Sequence, residues 1–401
     1  MSNENLRLAQ LAKNDEFYTQ YSDIEAEMNA YVEYNPNVFR NKTILLPCDD
    51  PEWSNFTKYF ATNFERFGLK KLISTSYAKG IGNKQLTLFE QQSPLYDAEL
   101  HKTHGKLFTL THDINGSGNI DTDDIKFNGY LDGDGDFRSE EVCKLRDEAD
   151  IIITNPPFSL FREFIAWIVE SDKKFIVVGN PNSIAYKEVF PLIKSNYLWI
   201  GNKSMGTDML FDVPEEYSKE LIETKKEGSA YKIINGIVKG RTQAIWFTNI
   251  DYGKRHEILQ LDTMAHNLKY NKKLRKKFEN EDGNMEYPHY DNYDAIEVPF
   301  TECIPSDYDS IMGVPITFLD KYNPEQFEII DCTHTTNPML WSGKHEISYY
   351  KDFKRGKVVT NADASMPLLA TGKCGGTKCV RKCDGAVLYQ LYHRLFIRKR
   401  K

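Results

Sequence analysis

The chain has 401 residues, a net charge of −7 and 27% charged residues, a length that holds one large or two ordinary domains with ample core. No apolar run reaches the length of a membrane span, and the polar opening segment, 1–15, is no signal peptide. Seven cysteines, an odd number without framework spacing, suit a reducing compartment, so the expected location is cytoplasmic.

In chain order, Asp15-Glu16-Phe17-Tyr18-Thr19 precedes a helix expected from Ser22, a good N-cap, to Tyr34. Ile44-Leu45-Leu46 is a short buried strand that ends at the abrupt turn Pro47-Cys48-Asp49-Asp50-Pro51. A helix follows with Trp53, Phe56, Phe60 and Phe64 on one face, then a strand over Lys71–Ser76. This βαβ unit places its first turn where α/β folds hold cofactors. The turn lacks a Gly-x-Gly fingerprint, which argues against a phosphate-cradling loop; two carboxylates better suit the hydroxyls or ammonium of a cofactor without phosphate.

Residues 79–128 are polar and glycine-bearing and read as a loop-rich excursion. Within them Asp113, Asn115, Ser117, Gly118 and Asp124 match much of a calcium loop, but the twelfth position is Asp and no helix precedes it, so a polar Asx/Gly loop is preferred. Ser139-Glu140-Glu141 caps and opens a helix leading to Asp150. Ile151-Ile152-Ile153-Thr154 is a strand buried on both faces, stopped by Asn155-Pro156-Pro157-Phe158. The two prolines fix the backbone in one extended geometry, holding Asn155 and Phe158 at the carboxyl edge of the sheet.

An amide oxygen on Asn155 and the carbonyl of Pro156 can converge on one exocyclic amine, and Phe158 offers a face for a base to stack on. Accepting both hydrogens of a conjugated amine frees its lone pair to attack an electrophilic methyl. The turn therefore points to an amine methyltransferase. A helix over Leu160–Glu170, a strand over Lys174–Gly179, a helix near Tyr186–Ile193 and strands at Tyr197–Ile200 and Gln243–Thr248 follow. The sum is an α/β, doubly wound, Rossmann-like sheet of five to seven strands, continuous to about residue 253.

Beyond residue 253 aromatics and basic runs dominate, and 254–401 is expected to be a target-recognition region. Residues 351–401 carry 13 Lys/Arg against 3 Asp, and Lys269, Lys272, Lys273, Arg275, Lys276 and Lys277 form a second basic run. Lys272, Lys273, Arg275, Lys276 and Arg398 are the candidate phosphate contacts. Cys374, Cys379 and Cys383 match no common zinc spacing, and no metal is assigned.

With these pieces in place the chain resembles the EcoRI-type family of adenine-specific DNA methyltransferases over nearly its whole length. The resemblance rests on Glu16-Phe17-Tyr18-Thr19, Leu46-Pro47-Cys48-Asp49-Asp50-Pro51-Glu52-Trp53-Ser54, Gly135-Asp136-Phe137-Arg138-Ser139, Thr154-Asn155-Pro156-Pro157-Phe158-Ser159 and Gly313-Val314-Pro315-Ile316-Thr317-Phe318. It implies S-adenosyl-L-methionine as donor, N6 of a flipped adenine in double-stranded DNA as acceptor, and a restriction-modification, phage or host-defence setting. A monomer with a cognate restriction endonuclease is expected. By motif, Phe17, Tyr18 and Thr19 would lie by the donor's methionine part, and Pro47, Asp49 and Asp50 would line its pocket. Asp136 would accept from the donor's adenine amine, with Phe137 packing on that ring; Asn155, Pro156, Pro157 and Phe158 would hold the target adenine, with Asn155 also near the donor. The usual acid ending the second strand is replaced by Ser74-Thr75-Ser76-Tyr77, which leaves the ribose contacts unassigned. An RNA adenine-N6 or protein-glutamine methyltransferase is the alternative that could use the same Asn-Pro-Pro-aromatic turn.

Overall fold

The computed structural model describes residues 19–47, 49–51, 54–78, 93–212, 215–278, 285–333, 349–351, 357–359, 366–370, 377–381 and 384–400. Phe17, Tyr18, Cys48, Trp53, Cys374 and Cys383 lie outside the described residues. The chain divides into two compact units, Met1–Ser183 with Leu198–Gly253, and Ile184–Tyr197 with Lys254–Lys401.

In the first unit α1 (Tyr21–Tyr34), β1 (Thr43–Leu46), α2 (Asn55–Thr62), β2 (Lys71–Ser76), β3 (Lys106–Leu110) and β4 (Lys126–Tyr130) come first. Then come α3 (Glu140–Glu148), β5 (Ile151–Thr154), α4 (Phe161–Glu170), β6 (Lys174–Gly179) and β7 (Trp199–Ile200). The unit ends with β8 (Met209–Asp212), α5 (Glu215–Glu223), β9 (Tyr231–Ile234), β10 (Ile237–Thr242) and β11 (Ile245–Thr248).

The central sheet has eight strands in the order β4-β3-β2-β1-β5-β6-β11-β7. Strands β2, β1, β5 and β6 are parallel, whereas β3, β4 and β11 run antiparallel to their inner neighbours. This is a mixed α/β sheet, wider than expected. The extra strands β3 and β4 come out of the stretch read as loop, where Phe108 and Leu110 alternate inward and register is held against β2. Strands β1 and β5 are buried throughout, as isoleucine and leucine runs covered on both faces should be.

Local chemistry sets the helix starts. The Ser54 hydroxyl accepts from the Phe56 and Thr57 N–H groups at the head of α2, and Ser139 accepts from Val142 at the head of α3. Helix α1 begins one residue earlier than expected, after Gln20, so Ser22 sits inside its first turn and caps nothing. The helix expected near Tyr186 is a 3-10 turn over Pro181–Ala185 followed by a short helix at Phe190–Lys194. Helix α4 buries Phe161, Phe164, Ile165 and Ile168, the stripe its spacing dictates.

The second unit contains α6 (Met264–Tyr270), α7 (Lys272–Phe278), β12 (Ile296–Glu297), β13 (Met312–Pro315), β14 (Phe327–Cys332), β15 (Tyr349–Lys351) and β16 (Lys357–Val359). It closes with β17 (Leu368–Leu369), β18 (Thr377–Arg381), β19 (Val387–Gln390) and β20 (Arg394–Lys399). These strands make two sheets, β12-β13-β20-β14 and β16-β15-β18-β19-β17. The basic end of the chain is thus an inner strand, β20, flanked by β13 and β14. Among the described residues no helix is long and apolar enough to cross a membrane.

Candidate active site

The order of strands reverses between β1 and β5: the chain steps outward through β2, β3 and β4 on one side, and through β6 on the other. Such a switch point leaves a crevice at the carboxyl ends of the two strands. Both sequence-derived turns start there, Pro47–Pro51 from β1 and Asn155–Phe158 from β5.

A side-chain strut joins the two turns. The Thr154 hydroxyl lies 2.7 Å from the Pro47 carbonyl oxygen and 2.7 Å from Asp49 Oδ2. The Ser54 hydroxyl donates to Asp49 Oδ1 at 2.6 Å. Burial pushes the Asp49 carboxyl up to about 7, against the pull of Ser54 and Thr154, with Asp50 adding a smaller push upward. One threonine hydrogen cannot serve two acceptors at once. A proton on Asp49 Oδ2 resolves this: the carboxyl donates to Thr154, and Thr154 donates to Pro47.

Asp50 has a different partner. Its Oδ2 lies 3.4 Å from Lys106 Nζ, and the two side chains are 4% and 0% exposed. Lys106 opens β3, which runs antiparallel to β2, so this lysine stands at the same edge as the ends of β1 and β2. The Ser76 hydroxyl, at the end of β2, accepts from the Lys106 N–H at 3.2 Å. Sequence reading missed Lys106; its only signal was a lysine at an inward position of the alternating Lys106-Leu107-Phe108-Thr109-Leu110 run.

Thr19 is buried, and its carbonyl accepts from Asn55 Nδ2 at 2.9 Å, which brings it to the head of α2 beside the β1 turn. Asn155 is 1% exposed and Pro156 is buried with it; Pro157 and Phe158 are half-buried. Phe158 rests on the core of the first unit and starts a 3-10 turn, closed by the Leu160 N–H donating to the Pro157 carbonyl. The Asn155 amide is therefore covered in this structure.

The Gly135–Ser139 motif is placed against the end of β2. At Gly135 φ is +83°, and a Cβ there would collide with the Ser76 carbonyl oxygen, so only glycine fits. Asp136 is gripped by Arg138, whose Nε and Nη2 donate to it at 2.9 and 2.6 Å, and Arg138 also reaches Glu163 at 2.5 Å. Phe137 is 2% exposed and meets Phe164 and Trp167 edge-on at 5.0 and 5.5 Å. Its ring is a core contact of α4.

In the second unit, α7 buries Leu274 and Phe278 and leaves Lys272, Lys273, Arg275 and Lys276 exposed. Lys273 is shared with Glu302 at 3.4 Å and lies over Phe300. Arg398 pairs with Glu328 at 2.7 Å. Arg394 is nearly buried and grips Glu297 through two nitrogens at 2.9 and 2.7 Å, while Tyr290 donates to the same carboxylate. A Cβ on Gly313 would collide with the Tyr290 hydroxyl, which explains the glycine that opens the Gly-Val-Pro-Ile-Thr-Phe motif. That motif is packing for this unit's core.

The candidate calcium loop is satisfied from within. Asp113 accepts from the Gly116, Ser117 and Gly118 N–H groups, and Asp124 from Ile114, Asn115 and Asp121. Among the described residues no group of His, Cys, Asp and Glu is placed to hold a metal ion.

The family model described as adenine-specific methyltransferase EcoRI matches residues 5–366. The chain is 43% identical over 330 residues to Type II methyltransferase M.EcoRI of Escherichia coli, covering 82% of this chain and 89% of that protein. It is 34% identical over 356 residues to Type II methyltransferase M.MpnI of Mycoplasma pneumoniae, covering 87% and 93%. It is also 34% identical over 328 residues to Type II methyltransferase M.MgeORF184P of Mycoplasma genitalium, covering 81% and 84%. No solved structure matches. The family model's match over most of the chain and the 43% identity to M.EcoRI place the protein: it belongs to the EcoRI family of adenine-specific methyltransferases.

Proposed function

We propose that this enzyme, a site-specific DNA adenine methyltransferase, takes its methyl group from S-adenosyl-L-methionine and places it on N6 of an adenine flipped out of the duplex. The observation that carries the reading is the Thr154 hydroxyl seated between Pro47 and Asp49, because it locks the amine-binding turn to the cofactor turn. The donor set fits a cofactor without phosphate. Carboxylates and hydroxyls line the strand ends, with no glycine-rich phosphate cradle after β1. Thr19, Pro47, Asp50 and the backbone at Asp136 are the described groups that would hold it, with Phe17 and Tyr18 added by motif.

When bound, the donor supplies a methyl carbon on positively charged sulfur, which keeps the electron pair of the broken S–C bond. The chain's own residues do the rest. Asn155 Oδ1 and the Pro156 carbonyl accept the two N6 hydrogens, turning the amine's lone pair toward the carbon. Phe158 swings from its half-buried seat to stack on the purine. Eversion costs a few kcal/mol, offset by this stacking and the two acceptor bonds. Once the N6–C bond exists, the amine's extra proton leaves to solvent from an acidic ammonium, and no strong base is needed. Alignment is the main contribution.

The first unit acts as the catalytic, Rossmann-like part, and the second reads the target, with Lys272, Lys273, Arg275 and Lys276 toward phosphates and Arg398 held back by its pair with Glu328. The proposed setting is a monomeric cytoplasmic enzyme with a cognate endonuclease, and the relatives' Type II names support its restriction-modification part. The test is methyl transfer from labelled donor to adenine-unmethylated DNA, with RNA and protein as parallel substrates. N6-methyladenine in DNA is expected; label in RNA or protein alone overturns the reading. Asn155→Ala should lower turnover by about 100-fold or more, in the range of losing one preorganised polar group, while calorimetry still detects donor binding. Wild-type turnover in that variant would remove Asn155 from the mechanism.

A further inference from the structure

Between β7 and β11 the chain makes a long excursion, 201–244, and the topology shows where it stands. Strand β11 is antiparallel to β6 with Ile245 opposite Gly179, and β7 is antiparallel to β11. Both ends of the excursion therefore lie at the carboxyl edge of β5 and β6, the edge that carries Asn155.

The root is clamped. Buried Glu27 of α1 accepts from the Asn202 and Lys203 N–H groups at 2.7 and 3.0 Å, and Lys203 Nζ reaches Asp23 at 2.7 Å. The Gly201 N–H donates to the Trp246 carbonyl at 2.8 Å.

The excursion folds as a three-stranded sheet, β8-β10-β9. Its β9–β10 hairpin turns through Asn235 and Gly236 at φ 52° and 79°, the stiff primed turn that matches strand twist. The tip is apolar and open to solvent: Ile233, Ile234 and Ile237 are 48, 39 and 58% exposed. Ile234 faces Ile237 across the ladder, and two residues back Lys232 faces Lys239 on the same side. Lys232 also reaches Asp208 at 3.3 Å, a carboxylate it shares with Arg241. The isoleucine pair leaves much of its apolar surface in solvent. Backed by the lysines, it matches a nucleic-acid duplex, with apolar stacked bases inside and phosphates outside.

Resting on the DNA reading above, we propose that this hairpin engages the duplex beside the target adenine. Ile234 and Ile237 press into the base stack, and Lys232 and Lys239 approach the flanking phosphates. The hairpin would then help to open the stack that Asn155 and Phe158 empty.

The test is an Ile234→Ser/Ile237→Ser variant of the full chain, assayed on an oligonucleotide duplex carrying the adenine that wild-type enzyme methylates. A second duplex places an abasic site opposite that adenine, so the base is already loosened. Because both side chains are exposed, melting temperature and donor binding should match wild type. Methylation of the matched duplex is expected to fall by about 10-fold or more, with most of the loss restored on the abasic duplex, since an unpaired base is the easier one to evert. Wild-type activity on the matched duplex overturns the proposal, and so does an equal loss on both duplexes. Failure of wild type to methylate any adenine in duplex DNA would instead sink the DNA reading itself.

Discussion

Asp49 and Asp50 adjoin in sequence, and the fold gives them different work. Asp49 is wrapped by Ser54 and Thr154 with its carboxyl raised to about 7, while Asp50 sits against the ammonium of Lys106. A raised folded-state value means Asp49 adds stability that is complete below its unfolded value of 3.8 and is lost as pH rises through about 7. Asp49→Asn imitates the protonated form, with an amide that can still donate to Thr154. We expect it to be as stable as wild type at pH 4, and more stable at pH 8 by up to about 4 kcal/mol. Urea titrations at the two values check this; parallel curves would refute it. For the buried pair, Lys106→Met alone should destabilise by about 3–5 kcal/mol, whereas Asp50→Asn/Lys106→Met should recover most of that loss, since a stranded buried charge costs more than an absent pair. Calorimetry on the double variant then asks whether the donor needs the pair. Weakened donor binding in a stable double variant marks Asp50 and Lys106 as part of the cofactor site.

Among the elements, α7 shows how a basic run becomes a surface. Leu274 and Phe278, one turn apart, are buried, so the intervening lysines and arginine must point outward. The cations at the chain's end have another fate. Arg394 is held by Glu297, Arg398 by Glu328, and Arg400 donates to the Pro324 and Phe327 carbonyls. Replacing Lys272 and Lys276 with alanine should lower the slope of log affinity for DNA against log salt by about 2, roughly 0.9 for each phosphate no longer neutralised. Arg398→Ala should move that slope little. Filter binding between low and moderate salt separates the two, and an unchanged slope for the α7 variant would remove this helix from the interface.

For the whole molecule, the first unit is interrupted in sequence: Ile184–Tyr197 belongs with the second unit. Ile184, Val189, Phe190 and Ile193 on that segment are all at most 2% exposed. A chain cut after Gly253 would strip them of the unit they pack in. At about 1.5–3 kcal/mol for each large apolar side chain left in water, such a fragment should melt lower than the full protein and bind hydrophobic dyes. A fragment that melts like the intact chain would show that the segment folds without its partners.

Local chemistry was enough for the residues that read themselves. Four β-branched residues in a row make a buried strand, two prolines stop it, serine caps a helix, and apolar spacing marks a helix face, because each of these forces acts over a few neighbouring residues. Those features located the Asn155–Phe158 turn, the Asp49-Asp50 turn and strands β1, β2, β5 and β6. What depended on distant partners was not legible. Strands β3 and β4 are short runs amid glycine and aspartate, and only the pairing of β3 with β2 and of β4 with β3 makes them strands. Lys106 became a site residue when antiparallel pairing carried it over the end of β2 to Asp50. Arg394, one of the basic residues counted over 351–401, became a buried strut when β13 and β14 closed around β20. The tertiary structure decided these because burial, partner and charge state depend on which segments meet in space, and neither composition nor period records that meeting.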